Sequence, residues 1–386
     1  MFKDFNYCIP TKVIFGQGKL KEAGEVVKQY GTKALIVTTG PFFKENGLVD
    51  RLQNILKESG VASEYFPEVD PNPLSTQVEN GVKVAKEAGC DVFIGLGGGS
   101  AIDAAKAMAY GVGNNEPIWP CWIGEKDLGD KTMPIIAITT TSGTGSHVTP
   151  YSVITNPETH EKPGMGNDST YAKVAIVDPE LMLSVPKKIT AATGFDILAH
   201  CIEAYTSNDA TPVTDLFCEQ AIRLVGKYLR TAVEDGSNLE ARNALAYADT
   251  LAGYSIATAV ITICHAMAHA VGGVSETTHG ETLAAMTPQA MRFSMNALPE
   301  KYKNIGLFLR DEPAGKADWT TEDSVQEVEK IIKDIGLDQP LGQQGVKESD
   351  FEMIAEGTLG YMGGAVDLDP QKATKEDIIE ILKKSL

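Results

Sequence analysis

The first half of the chain alternates short apolar runs with amphipathic segments. Ala34–Thr38 and Asp91–Leu96 are almost continuously apolar, as expected for strands that are buried on both faces of a parallel sheet. The segments that follow them, Phe43–Ser59 and Ser100–Tyr110, have helical spacing. Strands that alternate with helices build βαβ units. The pattern therefore predicts an α/β domain with a Rossmann-like, doubly wound parallel sheet.

The pattern changes near Pro186, beyond which almost every segment has helical periodicity. The last predicted strands are Pro134–Thr139, Ser152–Thr155 and Lys173–Val177. The predicted helices are one that carries Asp196 and His200, followed by Pro212–Val233, Leu239–Ala257, Val260–Val271, Ser324–Ile335 and Lys375–Lys384. A chain of 386 residues exceeds the usual size of one hydrophobic core. We therefore expect an α/β domain over residues 1–186 and an all-helical domain over residues 187–386.

Composition excludes several classes of protein. A net charge of −18 argues against a DNA or RNA partner. No apolar run reaches the length of a membrane span, and the first residues lack the features of a signal peptide, so we expect a cytoplasmic enzyme. The six cysteines contain no C-x-x-C pair, which indicates neither a zinc-thiolate site nor a disulfide framework.

A glycine-rich turn, GLGGGSAIDAAK at Gly95–Lys106, follows a predicted strand and opens a predicted helix. Glycines there let a ligand approach the backbone, and the free N–H groups of a helix start favour an anion. The turn differs from the standard dinucleotide fingerprint, which lies in the first βα unit and is followed by an acidic residue. It is either a variant nucleotide site or a turn without ligand. A second small-residue loop, Thr139–Thr149, offers hydroxyls for a diphosphate or ribose, although such clusters are mostly plain loops.

Histidines are concentrated in the stretch Thr262–Met286. His265 and His269 are four residues apart, so a helix would place both rings on one face. His279 follows Gly272-Gly273, where we expect the helix to break and the chain to turn back.

A second segment supplies the partners for these histidines. Asp196 and His200 are also four residues apart. With His265 and His279 they form a set of one oxygen and three nitrogen donors, which suits Fe(II) or Zn(II) and not Ca(II) or Cu(I). A single helical histidine is more often a core or surface residue than a ligand. Four of the six histidines fall in the two segments, which favours a metal site; the other two, in loop-rich stretches, are not predicted to act.

With both segments considered, the chain resembles the iron-containing (group III) alcohol dehydrogenases, a branch of the dehydroquinate synthase-like superfamily. The resemblance runs nearly from end to end. It rests on Phe15-Gly16-x-Gly18, GGGSxxDxAK at Gly97–Lys106, TTSGTGS at Thr140–Ser146, AATGxDxLxHxIEAY at Ala191–Tyr205 and HxxxHxxGGxxxxxxHG at His265–Gly280.

The resemblance implies a dehydroquinate synthase-like fold, an α/β domain followed by a helical one, and it implies roles for individual residues. Asp196, His200, His265 and His279 would be the metal ligands, and His269 would relay a proton beside the nicotinamide. The residues implied at the dinucleotide, its ribose or the polar cofactor cleft are Thr39, Asn72, Gly97, Gly98, Gly99, Ser100, Asp103, Thr140, Thr141, Ser142 and Lys162.

Several positions depart from the family pattern. Members that prefer NAD often carry an aspartate at the end of the strand where this chain has Thr39 and Gly40, so the repulsion of a 2′-phosphate is removed and NADP can be used as well as NAD. His147 replaces a glutamate, Thr278 replaces a proline, and Ile256 replaces an aromatic residue of the substrate pocket. The resemblance therefore predicts the chemistry without predicting which alcohol is used.

The resulting hypothesis is reversible oxidation of a short-chain or diol primary alcohol to its aldehyde. Iron, or zinc, would act as the Lewis acid, and hydride would pass to nicotinamide C4. One alternative is a dehydroquinate synthase-like lyase or cyclase, which needs a basic cluster that the sequence around the histidines lacks. Another is a non-catalytic scaffold that binds metal and nucleotide. The family also implies a homodimer.

Overall fold

The computed structural model describes residues 4–275 and 277–386, which cluster into two compact units. The α/β unit comprises Ile9–Thr141 and Ser146–Met182. The helical unit comprises residues 4–8, Ser142–Gly145 and Leu183–Leu386. A short piece of the second small-residue loop thus packs with the helices and not with the sheet.

The α/β unit contains a parallel sheet of six strands in the order β1-β8-β5-β4-β2-β3. The strands of this unit, in chain order, are β1 (Lys12–Phe15), β2 (Lys33–Thr39), β3 (Ala62–Val69), β4 (Val92–Gly97), β5 (Ile135–Thr139), β6 (Ser152–Val153), β7 (Gly164–Met165) and β8 (Val174–Val177). Every residue of β4, β5 and β8 is buried, which explains their uninterrupted apolar runs. The predicted Rossmann-like parallel sheet is confirmed.

One predicted strand does not join this sheet. The run Ser152–Thr155 contributes β6, which pairs antiparallel with β7 in a separate two-stranded sheet. The connection between these two strands, residues 154–163, is shorter than the crossover of a dozen or more residues that neighbouring parallel strands need. A strand is present at the predicted position, but it is not part of the parallel sheet.

The helices of the α/β unit are α1 (Ala23–Val27), α2 (Phe42–Glu45), α3 (Leu48–Glu58), α4 (Ser75–Ala88), α5 (Gly99–Asn114) and α6 (Trp119–Trp122). The single helix predicted over Phe43–Ser59 is in fact α2 and α3. Gly47, between them, has a φ of 83°, a left-handed conformation that interrupts the helix. Helix α3 then buries Val49, Leu52 and Leu56.

The helical unit is built from α7 (Lys187–Thr206), α8 (Pro212–Glu234), α9 (Leu239–Ala259), α10 (Ile263–Val274), α11 (His279–Ser294), α12 (Pro299–Leu309), α13 (Thr321–Asp334), α14 (Phe351–Leu359), α15 (Gly363–Val366) and α16 (Lys375–Ser385). Their buried apolar side chains form one continuous core. Among the described residues, no single helix combines the length and apolar composition of a membrane span; α9 and α10 meet that criterion only as a pair, bent by 99° at their junction.

The predicted helix break at Gly272-Gly273 was wrong, because α10 continues through both glycines to Val274. Glycine inside a helix costs only about 1 kcal/mol relative to alanine, which tertiary packing readily offsets. The next helix, α11, then begins at His279 itself.

Candidate metal and nucleotide sites

Helix α7 presents three polar side chains to the interior of the helical unit. Asp196, His200 and Glu203 are spaced by four and then three residues, so they share one face of the helix. All three are buried. A face with two carboxylates and an imidazole is costly to bury without partners, so the facing elements must supply cations, donors or a metal.

The facing elements are helices α10 and α11. His265 lies in the first turn of α10, and His279 is the first residue of α11. Gly280 allows α11 to lie close to α7: a Cβ at this position would be 2.1 Å from the carbonyl oxygen of Ala192. The missing side chain therefore explains why the His279-Gly280 pair can deliver its imidazole beside Asp196.

Three imidazoles surround one carboxylate oxygen, Asp196 Oδ1. It lies 3.3 Å from His265 Nε2, 3.5 Å from His200 Nδ1 and 3.9 Å from His279 Nε2. The donor atoms of Asp196, His265 and His279 all lie within 4.8 Å of one another. Two donors that bind one ion at about 2.1 Å with a tetrahedral angle lie about 3.4 Å apart. The spacing and the oxygen-plus-nitrogen chemistry therefore fit a borderline divalent cation such as iron or zinc.

His200 lies at the edge of this three-residue group. Its ring stacks on that of His265 with the centroids 4.3 Å apart, and its Nδ1 is 3.2 Å from the carbonyl oxygen of Gly143. Burial lowers the pKa of His200 to about 4, with Asp196 opposing and His265 reinforcing the shift. The imidazole is therefore neutral near pH 7, which is the form that can bind a metal.

The Gly143 carbonyl belongs to Ser142–Gly145, which the helical unit holds through Asp249. The backbone N–H of Gly145 donates to Asp249 Oδ1 at 2.8 Å. Burial raises the pKa of Asp249 to about 8. Ser142, one of the predicted nucleotide contacts, is thus placed immediately before a loop segment that touches His200.

His265 is held between two carboxylates. Its Nε2 faces Asp196, and its Nδ1 is in hydrogen-bond contact with Glu203. Burial by itself would lower the pKa of His265, but Glu203 and Asp196 outweigh it and raise that pKa to about 9. Burial would likewise raise the pKa of Glu203, and the charge of His265 lowers it instead. Glu203 is not among the residues predicted from the sequence, although its position seven residues after Asp196 places it on the same helical face.

His269 lies one turn beyond His265 on α10 and is buried. Its ring meets that of His279 edge-on, with the centroids 5.6 Å apart and the planes at 83°. It is outside the group of three donors that lie within 4.8 Å of one another. The structure therefore separates the two histidines of the HxxxH spacing, with one in the donor group and one beside it.

In the α/β unit, the two small-residue loops meet where β4 and β5 end. The register pairs Gly97 with Thr139, and the N–H of Thr140 donates to the carbonyl of Gly97 at 3.0 Å. A Cβ on Gly98 would lie 2.9 Å from Thr141 Oγ1, so the loops are in contact. Gly99 is the first residue of the 16-residue helix α5, whose start is a suitable place for a phosphate.

Other predicted nucleotide contacts gather beside this helix start. The side chain of Ser100 accepts from the N–H of Asn72 at 3.4 Å, and Lys162 donates to Asn72 Oδ1 at 2.6 Å. Thr39 is the last residue of β2, the strand next to β4. The structure therefore brings together backbone N–H groups, hydroxyls and an ammonium group, a donor set that suits a dinucleotide.

Asp103 has a different environment from the other predicted nucleotide contacts. Its carboxylate is buried and accepts from the Ser146 hydroxyl and, at 3.0 Å, from the N–H of Val153. Lys106, fully buried, lies 3.8 Å from it. Both carboxylate oxygens are thus bonded inside the α/β unit, where they hold the end of the second loop and β6 against α5.

Comparison with known proteins agrees with these features. Residues 10–179 match the family model described as iron-containing alcohol dehydrogenase, and residues 190–386 match that of the C-terminal domain of the Fe-containing alcohol dehydrogenase family. The NAD-dependent methanol dehydrogenase of Bacillus methanolicus is 36% identical over 99% of this chain and 100% of its own. The 1,3-propanediol dehydrogenase of Citrobacter freundii is 36% identical over 100% and 99%.

Solved structures agree in fold over the whole chain. An archaeal halo-thermophilic alcohol dehydrogenase from a Red Sea brine pool has a TM-score of 0.95 and 38% identity, with 100% of both chains covered. A 1,3-propanediol oxidoreductase has a TM-score of 0.92 and 36% identity, again with 100% of both chains covered.

Proposed function

The chain belongs to the iron-containing alcohol dehydrogenase family, and we propose that it interconverts a primary alcohol and its aldehyde. NAD or NADP would be the hydride carrier. The observation that carries the proposal is the convergence of His265 and His279 on one carboxylate oxygen of Asp196, with the three donor atoms all within 4.8 Å of one another. Each relative reported above has an alcohol or diol dehydrogenase activity in its name, so the lyase alternative is not supported.

We assign Asp196, His200, His265 and His279 as the residues that would hold iron, or zinc. A divalent ion bound there would supply Lewis acidity that lowers the pKa of an alcohol hydroxyl, and a nicotinamide would accept the hydride. The protein has to present its imidazoles in the neutral form. Burial already does so for His200, whose pKa is lowered to about 4, whereas His265 has to give up a proton when an ion binds.

His269 is the proposed proton carrier. Its imidazole is buried and its ring lies 5.6 Å from that of His279, and imidazole is the side chain that most often acts as a general acid or base. In the direction of alcohol oxidation it would accept the hydroxyl proton and pass it to solvent.

The proposed dinucleotide contacts are the residues at the ends of β2, β4 and β5 and at the start of α5. The N–H groups there would bind the diphosphate, while Lys162 and Asn72, joined by a 2.6 Å hydrogen bond, would position polar groups of the cofactor. We further propose that residues 1–186 and 187–386 act as the nucleotide and metal domains, and that the enzyme is a homodimer, which sedimentation would check.

The substrate class is proposed from the relatives. Their names include methanol and 1,3-propanediol dehydrogenases, so we propose a short-chain primary alcohol or diol. The test is anaerobic purification with metal analysis, followed by absorbance assays on methanol, 1-butanol and 1,3-propanediol with NAD and with NADP. Metal-stripped enzyme is the control. Metal and nucleotide binding with no turnover of any alcohol or aldehyde would favour a scaffold and contradict the proposal.

A further inference from the structure

Glu203, on α7, contacts the start of α10 through both carboxylate oxygens. Its Oε1 accepts from the N–H of Cys264 at 2.7 Å and from the N–H of His265 at 3.1 Å. The hydroxyl of Thr262 also donates to Oε1, at 3.1 Å. The second oxygen, Oε2, bonds to Nδ1 of His265. One carboxylate therefore contacts both the backbone and the ring of the same metal-ligand candidate.

The backbone contacts fix where α10 begins. Thr262 is the N-cap residue of this helix, but its own side chain makes no capping bond. Glu203 takes that place from another helix, because Cys264 and His265 are the second and third residues of α10 and their N–H groups have no partner within it. A negative charge is also favourable at a helix N-terminus. The main chain of His265 is thus anchored to α7.

The ring contact fixes which nitrogen of His265 carries hydrogen. An ionised carboxylate can only accept, so Nδ1 of His265 must be the donor towards Glu203. When His265 gives up its second proton to a bound ion, Nε2 offers its lone pair on the side of Asp196, 3.3 Å away. This is the tautomer that a metal bound through Nε2 requires.

We propose that Glu203 is the positioning residue of the metal centre, setting both the tautomer and the orientation of His265 so that Nε2 faces the ion. The proposal rests on the proposed function, since it presupposes that Asp196, His265 and His279 bind a metal. It goes beyond the ligand set by assigning a role to a carboxylate that does not itself lie in the donor group.

The variant Glu203→Gln separates this role from simple helix capping. Its amide oxygen still accepts from Cys264 and His265, but its NH₂ group would now donate to Nδ1. That reversal favours the tautomer with hydrogen on Nε2, which cannot bind a metal. We expect affinity for Fe(II) and Zn(II), measured by competition with a chelator, to fall by about 10- to 100-fold.

The matched control is Asp178→Asn. Asp178 is also fully buried and accepts three backbone N–H groups, those of Gly18, Leu20 and Glu180, at 3.0–3.2 Å. Its contacts are in the α/β unit and include no proposed metal ligand. We expect this variant to lose stability while its metal affinity stays at the wild-type value. Nitrogen-15 NMR of the histidine rings in metal-free protein, taken at a pH high enough that the ring of His265 is neutral, gives a second measurement, with the Nδ1–H form of His265 present in wild type and lost in Glu203→Gln.

The outcomes are distinguishable. Wild-type affinity in Glu203→Gln, or an equal loss of affinity in both variants, would overturn the positioning role, because the effect would then be absent or merely a consequence of lower stability. An unchanged His265 tautomer in Glu203→Gln would overturn it as well. If wild-type protein binds neither Fe(II) nor Zn(II), the proposed function fails and the inference falls with it.

Discussion

Two buried clusters of ionisable side chains, one in each unit, differ in how their polar atoms are used. In the α/β unit, the Lys106 ammonium donates to the Ser146 carbonyl at 2.7 Å, to the Ser146 hydroxyl at 3.0 Å and to the Tyr151 carbonyl at 2.7 Å. Three N–H donors thus have three acceptors. In the helical unit, three imidazoles instead crowd one oxygen of Asp196 at 3.3–3.9 Å.

The comparison shows that burial and charge alone do not identify a site. In the cluster around Lys106, the ammonium group has all its hydrogen-bond acceptors within the α/β unit. These bonds hold α5 to Ser146 and Tyr151, just before β6. The cluster around Asp196 brings electron-pair donors to one point, which is the arrangement that a cation completes. The motif GGGSxxDxAK, which covers Gly97–Lys106, combines the turn proposed to bind the nucleotide with the internally bonded pair Asp103 and Lys106.

The largest expected effect comes from removing a proposed metal ligand. His265→Ala deletes the donor closest to Asp196, and we expect metal retention to be lost together with roughly a thousandfold or more of kcat/KM, because Lewis-acid stabilisation contributes several kcal/mol. Metal content and alcohol oxidation are measured side by side. The control is His160→Ala, an exposed loop histidine, which should keep both. Normal turnover by metal-free His265→Ala protein would remove the distinction between the two clusters.

Disrupting the internally bonded cluster should damage stability and not chemistry. Lys106→Met leaves the buried carboxylate of Asp103 without its cation, and we expect the free energy of unfolding to fall by about 3–5 kcal/mol. Guanidinium unfolding measures the loss. Adding Asp103→Asn to this variant removes the uncompensated charge and should restore part of the stability. A change in metal affinity without a loss of stability would contradict the structural role.

One histidine from each cluster, His265 and His147, has its pKa shifted in the opposite direction from the other. In metal-free protein, the carboxylates around His265 raise its pKa to about 9, whereas burial, reinforced by the charge of Lys106, lowers the pKa of His147 to about 3. His147 is therefore neutral in the folded state down to about pH 3, while the unfolded chain takes up a proton below about pH 6.5. Its contribution to stability is present above pH 6.5 and is lost as the pH falls towards 3.

We therefore expect wild-type protein to lose about 2 kcal/mol more stability than His147→Gln when metal-free samples are taken from pH 7 to pH 5. Urea unfolding of both proteins at the two pH values gives the difference directly, and contributions from other groups cancel between them. Equal losses in the two proteins would show that His147 is protonated in the folded state at pH 5. Burial and the charge of Lys106 would then not lower the pKa of His147 as expected.

The sequence predicts the sheet better than it predicts the connections. Strands β2, β4 and β5 were recognisable because strands covered on both faces are apolar throughout. The pairing of β6 was missed because a strand of two residues is too short to show a periodic pattern. Helices α11, α12 and α14 were missed because which of their side chains are buried is decided by the helices that pack against them. The continuation of α10 through Gly272-Gly273 is a case in which packing overrides a local preference.

The donor group could be predicted in composition but not in geometry. Four-residue spacings identified Asp196, His200 and His265 as residues that share helical faces, yet only the folded chain shows that His200 turns Nδ1 towards the Gly143 carbonyl. Glu203 was recognisable in principle from the same spacing. Its role depends on contacts with residues about 60 positions away along the chain, and no local pattern contains that information.

The smallest expected effect concerns the strand ends of the α/β unit, where we propose that the nucleotide binds. If Asp103 and Lys106 bond only to protein groups, they do not contact the cofactor. The preference for NAD or NADP must then be set at the ends of the strands, and Thr39 is the last residue of β2. Thr39→Asp would place a carboxylate where it accepts from the ribose 2′-hydroxyl of NAD and repels the 2′-phosphate of NADP. We expect kcat/KM with NADP to fall by about tenfold, equivalent to about 1.4 kcal/mol, while the value with NAD stays the same or rises. Thr39→Asn, which has nearly the same size without the charge, is the control. The same loss of NADP use in both variants would mean that shape and not charge acts at this position.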